Sequence, residues 1–220
     1  MNCYRTILLL LCFAAVLPAQ GAELIPTQYH GYREIEDVDQ EGALVAIAMG
    51  YGLELLESGP AGFTRLSHLD FNSTVSQVVI HGSVLYAGVH TRGLYAIDIS
   101  DPASPVVTGL APTSGSWKDL EVSGDVAVAH TTGWGWNVFI GDLSDPLHPV
   151  AADSLALAES QSGFALGDEH FYFVSNTDDL ETWSITDPYN VYRTNQYIEG
   201  NPRWTRLTVR RVQRGFPTVY

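Results

Sequence analysis

The stretch Val78-Val79-Ile80-His81-Gly82-Ser83-Val84-Leu85-Tyr86-Ala87-Gly88-Val89-His90, continued by Gly93-Leu94-Tyr95-Ala96-Ile97-Asp98-Ile99-Ser100-Asp101-Pro102 and then by Pro105-Val106-Val107, decides the fold. Short runs rich in Val, Ile and Tyr read as strands, because β-branched and aromatic side chains pack well on a pleated surface. Gly82, between two such runs, reads as a tight hairpin, since glycine takes a positive φ without a steric penalty. The Ser-Asp-Pro step at 100–102 reads as a second turn: Asp bonds the backbone two residues on, and Pro presets φ. One unit is therefore expected to hold four antiparallel strands.

The pattern recurs. Gly42, Gly82, Gly124 and Gly167 follow one another at 40, 42 and 43 residues. The third unit reads Leu120-Glu121-Val122-Ser123-Gly124-Asp125-Val126-Ala127-Val128 and closes on Val138-Phe139-Ile140-Gly141-Asp142-Leu143-Ser144-Asp145-Pro146 and Pro149. The fourth has Phe171-Tyr172-Phe173-Val174, then Leu180-Glu181-Thr182-Trp183-Ser184-Ile185-Thr186-Asp187-Pro188. The first is degenerate, with Ala43–Ile47, Leu53–Leu56 and Ser58-Gly59-Pro60. No strong helical periodicity competes in the body of the chain. A four-stranded sheet cannot bury both faces alone. Radial stacking of successive sheets solves this, so the expected fold is all-β, a β-propeller of four-stranded blades with repeats of about 42 residues. Stacked β-sandwiches are the alternative, but sandwich strands need not recur in register.

Strand, Gly, strand, Gly-Leu and then Ile-Asp-Ile-Ser-Asp-Pro-x-x-Pro resembles the LVIVD repeat of bacterial exported β-propellers. Gly93–Pro105 matches best, Leu143-Ser144-Asp145-Pro146-Leu147-His148-Pro149 next, and Thr186-Asp187-Pro188 more weakly. The resemblance spans residues 38–200. It implies an architecture and a place outside the cytoplasm rather than a reaction.

The N-terminus agrees with export. Met1–Arg5 carries one positive charge, Ile7–Leu17 is apolar, and Pro18-Ala19-Gln20-Gly21-Ala22 supplies small residues for cleavage, so residues 1–22 read as a secretory signal peptide. The apolar stretch is shorter than the roughly 20 residues of a membrane span. A membrane-anchored N-terminus is the alternative. Cys12 makes a poor lipoprotein site, because Leu11 precedes it. Cys3 and Cys12 are the only cysteines. The mature chain is then expected to lack disulfides, thiolate metal ligands and a thiol nucleophile.

The 220 residues carry 25 acids and 11 Lys or Arg, a formal charge of −14. All the acids fall within 23–200, the expected propeller body, together with Arg33, Arg65, Arg92, Lys118 and Arg193. Such a body repels phosphate backbones and argues against nucleic acid as a partner. Residues 201–220 hold Arg203, Arg206, Arg210, Arg211, Arg214 and no acid. Trp204-Thr205-Arg206-Leu207-Thr208-Val209 echoes Trp117-Lys118-Asp119-Leu120-Glu121-Val122, so this segment reads as the start of a fifth blade or as an aberrant Arg-rich tail. Tyr29-His30-Gly31-Tyr32 would serve as an outer strand closing the ring. The expectation is a fragment of a longer propeller, with self-association through open blade edges as the alternative.

Two units share a motif after the second strand, His90-Thr91-Arg92-Gly93 and His130-Thr131-Thr132-Gly133, and the fourth has Asn176-Thr177-Asp178-Asp179 there. Loops between second and third strands gather around a propeller axis, so His90, Thr91, Arg92, His130, Thr131 and Asn176 are candidate ligand-binding residues. His90 and His130 are the candidate metal ligands, for a divalent cation. The bland reading is that His and Thr cap strand ends. Trp134 and Trp136, flanking Gly135, are candidates for stacking on a sugar or an apolar partner, against core packing. Trp117, Trp183 and Trp204 read as packing. Asp98, Asp101, Asp142, Asp145 and Asp187 recur with the repeat and read as turn-makers, since calcium would need oxygens converging at one site.

Gly-x-Ser-x-Gly, His-Glu-x-x-His and a phosphate loop are missing. Asn72-Ser73-Thr74 matches a glycosylation acceptor, relevant only in a eukaryotic secretory host. No catalytic residue and no cofactor is assigned. The expected function is a secreted, periplasmic or cell-surface binding or protein-interaction scaffold without enzymatic activity, for an unidentified partner. The alternatives are an extracellular hydrolase or lyase acting on a polymer, which an acidic cluster at the axis would favour, and a metal-binding module.

Overall fold

The computed structural model describes residues 34–133, 136–157, 161–175 and 179–198. They form four sheets, each of four consecutive antiparallel strands. The first holds β1 (Ile35–Glu41), β2 (Leu44–Met49), β3 (Gly52–Gly59) and β4 (Gly62–Asp70). The second holds β5 (Val75–His81), β6 (Val84–Val89), β7 (Gly93–Asp98) and β8 (Val106–Pro112). The third holds β9 (Ser116–Ser123), β10 (Val126–Thr132), β11 (Trp136–Asp142) and β12 (Val150–Leu157). The fourth holds β13 (Gln161–Leu166), β14 (His170–Ser175), β15 (Asp179–Ser184) and β16 (Tyr192–Ile198). Among the described residues no helix is long and apolar enough to cross a membrane.

The first strands line up side by side, β1 along β5, β5 along β9 and β9 along β13. Each last strand lies at the far edge of its sheet. This is a β-propeller with four-stranded blades. The seams between blades are apolar. Ala46, Ala48, Leu53 and Leu55 meet Val75, Val78, Ile80, Leu85, Ala87 and Val89 in the first seam. Val84, Tyr86, Leu94 and Ala96 meet Trp117, Leu120, Val122, Ala127, Ala129 and Phe139 in the second. Val128, Val138 and Ile140 meet Phe164, Leu166, Phe171 and Phe173 in the third. Leu85, Ala87 and Val89 thus face one neighbour while Val84 and Tyr86 face the other. Alternation on a strand buried from both sides is why β6 reads as an unbroken apolar run.

The hairpin glycines are where the repeat places them, with one exception. Gly42, Gly82 and Gly124 open the turn between the first two strands of their blades, with φ of 61°, 62° and 55°. In the fourth blade Gly167 N donates to His170 O at 2.7 Å, so Asp168 and Glu169 form the turn and Gly167 sits at its base, just past the end of β13. Asp168, not Gly167, is the positional match. Two bonds confirm this: Ile99 N donates to Ser83 O and Ile185 N to Glu169 O, both 2.9 Å, from the same place in their blades.

Counting from these turns exposes a feature that spacing alone conceals. Each first strand carries a one-residue bulge, at Glu36, Ser76, Lys118 and Ser162, six residues before its turn. Each outermost strand carries another, at Leu66, Thr108, Ala152 and Thr194. Bulges increase local twist and blunt an exposed edge.

The Asp-Pro steps are turns, as expected, and repeat atom for atom. Asp101, Asp145 and Asp187 each accept through Oδ1 from the N–H two residues on, at 3.1, 3.2 and 3.0 Å. Asp98 and Asp142 do the same for Ser100 and Ser144, which lowers both carboxyls below the usual range. These turns also clip neighbouring blades together. Ser67 Oγ donates to Pro102 O at 2.7 Å and Tyr86 OH to Pro146 O at 3.0 Å.

Candidate functional site

The turns and bulges sort onto two ends of the propeller. The Gly42, Gly82 and Gly124 hairpins and the Asp-Pro turns share one end, since Val84 pairs with both His81 and Asp98. The first-strand bulges and the turns between second and third strands share the other.

At that second end, His90, Thr91 and Arg92 form the β6–β7 turn. His90 is held from three sides. Its N–H donates to Thr74 O at 2.8 Å, its carbonyl accepts from Ser73 Oγ at 2.7 Å, and its Nδ1 lies 2.7 Å from Ser116 Oγ. The turn closes through Arg92 N to Val89 O at 3.1 Å and reaches the third blade through Thr91 N to Gly115 O at 2.9 Å. Thr91 adopts φ of 57°, the one described non-glycine residue with positive φ. A β-branched residue is strained there, by roughly 1–2 kcal/mol. Thr91 and Arg92 are exposed above this anchored base. Among the described residues Arg65 pairs with Glu54 and Arg193 with Glu181, whereas Arg92 and Lys118 have no carboxylate within ion-pair distance.

The proposed match between His90 and His130 does not survive. His130 and Thr131 lie inside β10, both buried, and His130 pairs with Asp119 where the second blade has Gly88 opposite Gln77. Relative to the hairpin turn, His130 sits two positions before the place His90 occupies. It shares a strand face with Val128, which packs against the fourth blade. Burial, aided by Lys118, lowers the imidazole pKa and favours the neutral form. Among the described residues no group of three His, Cys, Asp or Glu is placed to hold a metal ion. Trp136 opens β11 opposite Thr132. Trp134 and Asn176 lie outside the described residues, as do the signal segment, Trp204 and the Arg-rich tail. Trp117 and Trp183 pack as expected: Trp117 sits edge-on to Phe139 and bonds Val89 O, and Trp183 stacks near Phe171 and Phe173.

Sequence reasoning missed the acids of the first strands. Asp37 Oδ2 accepts from Val78 N at 3.0 Å, Asp39 Oδ2 from Ile80 N at 2.7 Å and Glu41 Oε2 from Gly82 N at 3.0 Å, each across 41 residues. Glu121 Oε2 accepts from Leu166 N at 2.8 Å in the same relation between the third and fourth blades. A first strand has no partner strand on its axial side, and these carboxylates satisfy its outward N–H groups. The alternation Asp-x-Asp-x-Glu at 37–41 was the available signal. Burial pushes the Asp37 carboxyl up to about 6 against its two backbone hydrogen bonds, with Asp39 and Asp119 adding repulsion. Burial and Glu34 raise Glu36, partly offset by Lys118.

The model of the LVIVD repeat matches residues 74–113, which is the second blade from the residue before β5 to the residue after β8. The chain therefore carries an LVIVD repeat. No curated protein matches it. Among solved structures it is similar to a chain in the complex of an S. cerevisiae Dbp5 variant with Nup159, a Gle1 variant, IP6 and ADP, at 12% identity and TM-score 0.52, covering 75% of this chain and 44% of that one. The N-terminal domain of Nup159 matches at 11% identity and TM-score 0.54, with the same coverages. The computationally designed Ika4 protein matches at 12% identity and TM-score 0.58, covering 75% of this chain and 99% of that one. The chain spans under half the length of the first two. At these identities the likeness concerns the fold.

Proposed function

We propose that the chain is an exported, non-enzymatic binding scaffold of the periplasm or cell surface, whose contact surface is the end carrying the Thr91–Arg92 turn. The observation that carries this reading is the anchored His90 base beneath a strained, exposed turn. Rigid placement lowers the ordering cost of binding, and strain held in an exposed turn is a mark of functional segments. Arg92 offers a planar guanidinium, with no carboxylate partner among the described residues, on a body of net negative charge. Export is supported by the N-terminal sequence pattern. The recurring aspartates support a non-catalytic role, because each is engaged in its own turn.

The test is site-specific photo-crosslinking in producing cells, with the crosslinking residue at position 92 or, as control, at position 63 at the opposite end. Adducts from position 92 and none from position 63 are expected. Equal adducts from both, or adducts from position 63 alone, refute the assignment.

A polymer hydrolase or lyase is the second reading, favoured by Asp37 and Asp119 lying near enough to influence one another at the axis. Turnover of glycan substrates by the purified protein, lost in D37N and D119N, would establish it in place of the scaffold.

A further inference from the structure

The turn that leads into the third strand is built alike in the first two blades. Tyr51 immediately precedes Gly52, which opens β3, and Arg92 immediately precedes Gly93, which opens β7. One bond marks both: Phe71 N donates to Tyr51 O at 2.6 Å, and Thr113 N to Arg92 O at 3.3 Å. Tyr51 and Arg92 are therefore positional matches in neighbouring blades. The first turn, Gly50-Tyr51, is one residue shorter than His90-Thr91-Arg92, so simple spacing hides the match. Both side chains are exposed, Tyr51 at 61%. We propose that Tyr51 and Arg92 are paired anchors for one polypeptide partner, an extended segment that lays an apolar side chain on the Tyr51 ring and a carboxylate on the Arg92 guanidinium. The pairing rests on the Thr91–Arg92 end being the contact surface.

A single support holds the two anchors. Where β4 passes to β5, Val75 N donates to Gly50 O at 2.6 Å and Thr74 O accepts from His90 N at 2.8 Å. Ser73 Oγ donates to His90 O at 2.7 Å. Phe71, at the start of this connector, packs edge-on to Tyr95 of the second blade with centroids 5.3 Å apart. Val75, at its end, is fully buried. The same short segment thus braces both turns against the first seam, and a braced pair has little freedom left to lose on binding.

The chemistry of the pair selects the partner. Tyrosine and arginine are residue types in which the energy of protein interfaces concentrates. The ring offers an apolar face with a polar tip. The guanidinium offers a planar fork that fits a carboxylate, and no described carboxylate lies within ion-pair distance of it. Sheets stacked face to face lie about 10 Å apart, and an extended chain advances about 3.1–3.4 Å per residue. The apolar and acidic side chains of the partner therefore stand about three residues apart. The chain's formal charge of −14 repels a run of acids, so the partner brings an isolated carboxylate rather than a polyanion.

Asn72, exposed on the connector between the two turns, carries a probe that leaves both anchors in place. With a photo-crosslinking residue at position 72 of the full chain in producing cells, one polypeptide adduct is expected. Its yield should fall at least about tenfold in Tyr51→Ala and in Arg92→Ala, at unchanged protein level and Tm, and stay level in Phe63→Ala. Mass spectrometry should find an Asp or Glu in the crosslinked segment. Replacing that acid by Arg should restore the yield lost in Arg92→Glu. An adduct that only one anchor variant lowers, or neither, overturns the pairing and leaves the contact surface standing, as do adducts from position 92 with none from position 72. No adduct from either position overturns the contact surface as well. An adduct to a glycan or lipid, or a charge swap without recovery, overturns the stated chemistry of the partner.

Discussion

Gly88 and Trp117 make the second seam a matter of one missing methyl group. A Cβ on Gly88 would lie 2.7 Å from Trp117 Cδ2, 2.8 Å from Cγ and 2.9 Å from Cε3. Carbon atoms pack best at about 3.5–4.0 Å, so the indole must retreat by about 1 Å. It has little room: Trp117 is 2% exposed, sits edge-on to Phe139 at 5.4 Å, and donates Nε1 to Val89 O at 3.2 Å. Overpacking a dense core costs about 1–3 kcal/mol, and the strained hydrogen bond adds about 1 kcal/mol. Gly88→Ala should therefore cost about 2–4 kcal/mol in urea unfolding at pH 7. Trp117→Ala alone should cost about 3–5 kcal/mol. In the double variant the clash is gone, so Gly88→Ala should cost almost nothing. That leaves a coupling of at least about 2 kcal/mol in a double-mutant cycle. Additivity within about 0.5 kcal/mol would refute the claim that this glycine exists to admit the indole.

Three more outcomes follow from local geometry. Thr91→Gly should raise stability by about 1 kcal/mol through relief of the left-handed φ, read as a higher Tm, and crosslinking from position 92 should weaken as the turn loosens. Gly93→Ala should be far worse than Gly82→Ala in the same thermal assay. At Gly93, with φ of 138°, the new Cβ would lie 2.1 Å from Ala111 O, which is backbone, whereas at Gly82 nothing lies within 4 Å. Unfolding free energy followed from pH 7.5 to 5 should carry an acid-side loss from His130. Its folded pKa is lowered by burial, so the unfolded chain takes the proton first and stability drops as the pH falls through 6.5. His130→Asn should remove that loss.

Reading of the sequence succeeded where the signal is local and failed where it depends on counting across strands. The strands of the second blade, the Gly82 and Gly124 hairpins and the three Asp-Pro turns were legible, because each rests on a few adjacent residues. The pairing of His90 with His130 failed because spacing along the chain does not number positions on a ladder. Measured from its hairpin glycine, His130 comes two residues earlier than His90, which puts it within the strand rather than in the turn. Gly167 misled in the same way, being a glycine one residue short of the turn it seemed to mark. The first-strand acids left only the alternation Asp-x-Asp-x-Glu as a signal, since their partners stand 41 residues away on backbone atoms that carry no sequence signature.

What the sequence alone determined is the blade: alternation of apolar residues and turn chemistry are properties of neighbouring side chains, and they specify four short strands wherever the repeat occurs. What only the tertiary structure decided is the set of relations between blades. Which face of a strand meets which neighbour, whether His130 stays neutral, and whether Asp37 is a free acid or a half-buried acceptor for the next blade depend on the sheet stacked beside it. Burial and hydrogen-bond partnership are set by that neighbour, and no spacing within a single unit encodes them.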